Sequence, residues 1–205
     1  MNYTVNGNQG KLMIKRPDTD FYFVTDEVHY KWGLAFNDEV PLDLSVETGS
    51  ADARLDLSDL SLTQLAIHTS SGEFWIDGPG EQHVLQAVEV NTTSGDISLE
   101  LTGDYPSLVS VNAQTSTGDL VFDLTGSWVH DLDVSIASAS GQVTLLLPQD
   151  AGVFVTVSTS SGDVTANGFI VDDNNYVNNS LGSVPVTLNI RVKTSNGNII
   201  LELAE

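Results

Sequence analysis

Four glycines, Gly72, Gly95, Gly118 and Gly141, stand 23 residues apart, each inside the same short phrase: IHTSSGEFWI, VNTTSGDISL, AQTSTGDLVF and IASASGQVTL. Two more copies follow, VSTSSGDVTA around Gly162 and VKTSNGNIIL around Gly197, and a degenerate one, VETGSADARL, puts Ala51 in the glycine position. A fixed period of this length marks a stacked repeat, in which each unit buries its apolar face only against its neighbours.

Numbered from the glycine as zero, position −7 holds Leu44, Leu65, Val88, Val111, Val134, Val155 and Ile190. Positions −5, +2 and +4 are equally apolar, and +6 is mostly leucine, while the residues between them are polar. Alternation with period two is the pattern of a strand with one buried face. Each repeat therefore supplies one strand before the glycine and one after it.

The phase slips between the two strands: position −3 belongs to the inward set, yet the next inward position is +2. A bend with glycine at positive φ accounts for the extra residue. The residue after it is usually Glu, Asp or Asn, side chains that bond nearby backbone donors in tight turns. Position −3 is Thr48, Thr69, Thr92, Thr115, Ser138, Thr159 and Thr194. Stacked at about 4.8 Å, these hydroxyls form an inward ladder, and each is expected to find a partner, because a buried hydroxyl left bare costs about 1–3 kcal/mol. Leu60, Leu85, Leu108 and Leu132 are expected to fill the remaining corner.

The predicted architecture is all-β: a parallel, right-handed β-solenoid of about seven coils over residues 42–205, with every strand paired to its equivalent in the next coil. Its C-terminal edge after Leu203 would be open, with Glu202 and Glu205 discouraging end-to-end pairing. Residues 1–41 lie outside the repeat and are read as a β cap on the first coil, built around Phe21–Val24 and Val28–Phe36; the alternative is an aromatic ligand platform at Tyr30 and Trp32. The interval from Gly162 to Gly197 is 35 residues. Its excess, residues 167–184, is rich in Asn and Asp and includes Tyr176. It is read as a surface loop and as the best local candidate for a partner contact.

The formal net charge is −21, from 28 acidic and 7 basic residues. Such a surface repels nucleic acid and anionic membranes. With no cysteine, disulfides, thiolate metal sites and cysteine nucleophiles are excluded. No signal peptide and no apolar run long enough to span a bilayer is evident, so any anchor is expected outside this sequence.

Carboxylates at position +1 (Glu73, Asp96, Asp119, Asp163), or Asp172 and Asp173 in the inserted loop, offer oxygen ligands for calcium. However, Gln142 and Asn198 interrupt the +1 row, and a solvated acidic face is the simpler reading. His29, His68, His83 and His130 lie in separate segments without metal-ligand spacing. A carbohydrate-active β-helix enzyme would need carboxylates converging in a cleft, and the short loops here argue against one. Ice binding would need an outward threonine row. The residues thus assign no catalytic, cofactor or metal site.

The segment Trp32–Gly78, with Trp, then Val-Pro-Leu-Asp-Leu, then Leu-Asp-Leu-Ser-x-Leu-x-Leu-x-x-Leu, resembles the N-terminal part of toast-rack proteins. The Thr-Ser-Ser-Gly-Asp repeats resemble the related adhesin-type β-solenoid domains, and together the two cover nearly the whole chain. Both are similar to the extracytoplasmic part of LiaF-like cell-envelope stress proteins. The resemblance implies a non-enzymatic bacterial envelope domain, tethered by a membrane segment or lipid. Its sheet faces and the 167–184 loop are read as meeting another envelope protein or a glycan, the alternatives being a carbohydrate-active β-helix enzyme and a calcium-stabilised adhesin. It transfers no catalytic residues.

Overall fold

The computed structural model describes residues 2–6, 9–13, 34, 36, 40–58 and 60–204. These fall in two units, Met1–Ala35 and Phe36–Glu205. In the first, β1 (Asn2–Asn6) and β2 (Gln9–Met13) form an antiparallel pair. Tyr30, Trp32, His29 and most of the expected cap lie outside the described residues.

The second unit is a stack of seven coils. Coil 1 is β3 (Leu42–Ser50) and β4 (Ala53–Asp56); coil 2 is β5 (Leu62–Ser71) and β6 (Phe74–Asp77). Coil 3 is β7 (Ala87–Ser94), β8 (Ile97–Glu100) and the short β9 (Asp104–Tyr105). Coil 4 is β10 (Ser110–Thr117), β11 (Leu120–Asp123) and β12 (Ser127–Trp128); coil 5 is β13 (Leu132–Ser140) and β14 (Val143–Leu147). Coil 6 is β15 (Gly152–Ser161) and β16 (Val164–Asn167), followed by a hairpin of β17 (Ile170–Asp172) and β18 (Asn175–Val177). Coil 7 is β19 (Thr187–Asn196) and β20 (Ile199–Leu203).

The seven strands before the glycine position build a nine-stranded sheet together with β17 and β18, and those after it build a seven-stranded sheet; pairing is parallel throughout except at β18. The alternation fixes which side of each strand is buried. Leu65, Ile67, Phe74 and Ile76 in coil 2, and their counterparts in coils 3–5 and 7, are almost wholly buried in one core. A third side is made in coils 3 and 4 by β9 and β12, where the ring of buried Tyr105 stacks on Trp128 with centroids 5.2 Å apart. Leu85, Leu108 and Leu132 fill the corner as expected, and Leu60 packs against it half-buried.

The coils do not stack in chain order. The nine-stranded sheet runs β17-β18-β15-β19-β13-β10-β7-β5-β3, and the seven-stranded sheet runs β16-β20-β14-β11-β8-β6-β4. Coil 7 thus lies between coils 5 and 6. This corrects two expectations: consecutive coils do not pair throughout, and Leu203 is not at the open end of the stack.

The segment read as a loop is what makes the reversal possible. After β16 the chain enters the nine-stranded sheet once more as β17, turns at Asp173 (φ 57°), and returns as β18, antiparallel to β15. β18 ends beside the start of β15, and residues 178–186 cross that start to reach β19. Asn178, 3% exposed, pins the crossing. Its Oδ1 accepts the backbone N–H of Val153 (3.0 Å) and Leu181 (3.1 Å), while its Nδ2 donates to the carbonyls of Ala151 (2.8 Å) and Pro148 (3.4 Å).

The threonine column follows the spatial order. Thr69, Thr92, Thr115, Ser138 and Thr194 are buried, whereas Thr48 and Thr159, in the first and last coils of the stack, are half-buried. Thr48 donates to Thr69 Oγ1 (2.9 Å) and Thr194 to Thr159 Oγ1 (3.0 Å), and Thr69 and Thr115 donate to carbonyls two residues on. The Thr92 and Ser138 hydroxyls find no partner among the described residues, which departs from the fully bonded ladder expected.

Candidate functional site

The bend after each glycine explains the acidic residue at +1. Asp52 Oδ1 accepts the backbone N–H of Glu73, Asp96 that of Asp119, Asp119 that of Gln142, and Asn198 that of Asp163, at 2.8–3.0 Å. Each side chain reaches the equivalent amide of the adjacent coil. Asn198, an uncharged amide, does this as well as Asp, so the row needs an acceptor oxygen and not a charge. Among the described residues, no group of three or more His, Asp or Glu side chains is placed to hold a metal ion. Asp172 and Asp173 are exposed at the hairpin turn.

Two outward faces remain. On the nine-stranded sheet, position −4 places Glu47, His68, Asn91 and Gln114 in register across coils 1–4. They line a shallow polar depression of about 520 Å³. Asn91 Nδ2 donates to Glu89 Oε1 (2.7 Å) and lies 3.4 Å from His68 Nδ1. Of the other histidines, His83 is exposed beside Glu81 (2.8 Å) and His130 is exposed.

On the seven-stranded sheet, position +3 aligns Arg54, Trp75, Ser98 and Val121, and position +5 aligns Asp56, Asp77, Glu100 and Asp123. This double row is hidden among the recurring columns of the repeat, because Trp75 is a single departure within its column. The signal was available: +3 points outward, and a tryptophan there has no core to enter. Trp75 is 43% exposed. Two acids of the second row also close strand ends. Asp123 Oδ1 accepts the backbone N–H (3.0 Å) and hydroxyl (2.6 Å) of Thr125, and Asp56 accepts both from Ser58. The Ser58 hydroxyl, then its amide, hold the Asp56 carboxyl below the usual aspartate range; burial opposes this slightly and Arg54 adds to it.

The carboxylates Asp56, Asp77, Glu100 and Asp123 lie in a row along coils 1–4, one per coil, and do not converge on a point. Flat sheets carrying in-register side-chain rows define a β-solenoid repeat domain. Residues 1–84 match the family described as the N-terminal domain of toast_rack, DUF2154. A crystal structure of a putative cell adhesion protein from Clostridium sporogenes ATCC 15579 shares the fold, with a TM-score of 0.51 at 21% sequence identity. The match covers 65% of this chain and 56% of that one, so it spans little more than half of the neighbour's length. No curated protein matches the sequence.

Proposed function

We propose that this chain is a non-enzymatic binding module of the bacterial cell envelope, adhesin-like in build, that meets a partner protein or glycan through its sheet faces. One observation carries the reading: the polar side chains of both faces are arrayed in parallel rows at strand spacing. That arrangement suits an extended partner laid across several coils, whereas acid/base catalysis needs two groups converging on one bond. The match of residues 1–84 to the toast-rack N-terminal domain and a structural neighbour named as a putative cell adhesion protein support the envelope setting.

The test is co-sedimentation of the full chain with isolated bacterial envelope fragments, alongside an assay for new reducing ends on the polysaccharides they contain. Saturable binding without sugar release is the expected result. Release of reducing ends would replace this reading with a carbohydrate-active enzyme.

A further inference from the structure

We propose that Trp75 and its in-register neighbours on the seven-stranded sheet form a contact site for an uncharged glycan chain. This deepens the binding-module reading and rests on it.

A single exposed apolar side chain is ordinary on a protein surface; the surroundings of Trp75 are what matter. Arg54 and Ser98 are its direct neighbours across the two adjacent strands, about 4.8 Å away along the stack. Asp77 stands two residues further along the same strand and therefore on the same face. Asp56 and Glu100 flank Asp77 on either side. An indole is thus bordered by a guanidinium, a hydroxyl and three carboxylates. Val121, 46% exposed, extends the apolar line one coil beyond Ser98.

Among the described residues, Arg54 makes no ion pair, and the side chains of Asp77 and Glu100 have no hydrogen-bond partner. Their donor and acceptor capacity is turned to solvent around the ring. A flat aromatic face offers an apolar surface, and polar groups at its border fix what lies on it.

Charge decides the ligand class. An anionic polymer would meet the carboxylates of the +5 row on a chain of net charge −21. A cation is drawn by the three carboxylates, but stacked on the indole it would meet the Arg54 guanidinium beside it and leave that donor unused. An uncharged sugar meets neither obstacle. Its ring C–H face lies on the indole, its hydroxyls donate to Asp77, Asp56 or Glu100, and they accept from Arg54. Only a group that both donates and accepts uses every member of this mixed border. The rows run along the stack, so an oligosaccharide placed along the axis would cross Trp75, Ser98 and Val121 in turn.

The experiment is calorimetric titration of the full chain with three neutral hexasaccharides, chitohexaose, cellohexaose and maltohexaose, and with hexalysine and polygalacturonate. At least one hexasaccharide is expected to bind. Trp75→Ala should weaken that binding tenfold or more, and Asp77→Asn or Arg54→Ala several-fold, with melting temperatures held within a few degrees because all three side chains are at the surface. Binding of hexalysine alone would assign the surface to a basic peptide and overturn the proposal. So would binding of polygalacturonate alone, silence towards all three neutral sugars, or a hexasaccharide affinity unchanged by Trp75→Ala. In each of these cases co-sedimentation with envelope fragments still stands or falls separately, so the module reading is judged on its own.

Discussion

Gly197 lies on Gly141, and Gly162 lies on Gly197. A Cβ built on Gly197 would fall on the carbonyl oxygen of Gly141, and one built on Gly162 on that of Gly197. The same relation runs down the column through Gly118, Gly95 and Gly72 to Ala51. Each glycine gives up its side chain to the coil beneath it. Ala51 keeps its methyl in the first coil, below which no further coil lies among the described residues.

Gly141→Ala should therefore be costly and Ala51→Gly should not. At Gly141 the backbone is at φ 131° and the added methyl meets main chain. Strain of about 1–2 kcal/mol and overpacking of about 1–3 kcal/mol sum to about 3 kcal/mol lost. Ala51→Gly should cost no more than about 1 kcal/mol. Urea unfolding of the two variants checks the difference, and equal losses would show that the column is not packed as described.

Asn178 ties the hairpin's exit to the start of β15 with four side-chain hydrogen bonds. Asn178→Ala leaves the Val153 amide and the Ala151 carbonyl without their partner in a buried place. A loss of about 2–3 kcal/mol is expected, with hydrogen exchange of the Val153 amide accelerated ahead of the core of coils 2–4. An exchange rate unchanged at Val153 would contradict the pinning.

Asp119 serves as an acceptor for the Gln142 amide (2.8 Å). Asp119→Asn should leave stability within about 0.5 kcal/mol, because Asn198 performs the same task towards Asp163. Asp119→Ala should cost about 1 kcal/mol. Calcium, and then excess EDTA, should leave the melting temperature where it was. A rise of several degrees with calcium would make the +1 row a cation site.

Tyr105 is buried against Trp128, and its hydroxyl donates to the Gly78 carbonyl. Burial pushes its phenol well above the usual tyrosine range. A raised folded value means that the stabilising contribution is whole below the unfolded value, about 10, and falls away as the pH climbs past it. Ultraviolet titration should show Tyr105 refusing to ionise until the fold opens, and Tyr105→Phe should remove that late step. A Tyr105 that ionised around pH 10 with the fold intact would contradict its burial.

The period, the inward rows and the bend were legible because each coil repeats them against the same neighbours. The order of the coils was not, and for the same reason. Val134, Ile136 and Ser138 of coil 5 offer coil 6 and coil 7 matching partners, so no pairwise preference in the sequence separates the two stackings. What separates them is a small set of local contacts: Asn178 with the start of β15, Thr187 N–H with Asp131 Oδ1 (2.8 Å), and the turn at Asp173. None of these belongs to the repeat. The 35-residue interval was visible as an anomaly, yet its length alone describes a loop as well as a hairpin with a return path. Trp75 went unread because a search for recurring columns discounts the one position where a column is broken.

Synthesis from the N-terminus delivers residues 187–203 after both of the coils they join. Until then coil 6 lacks the neighbour it pairs with in the folded stack, because coil 7 is what joins it to coil 5. A stop codon placed ahead of residue 187 would not trim the final rung from this ladder. It would remove one from the middle and leave the true end detached.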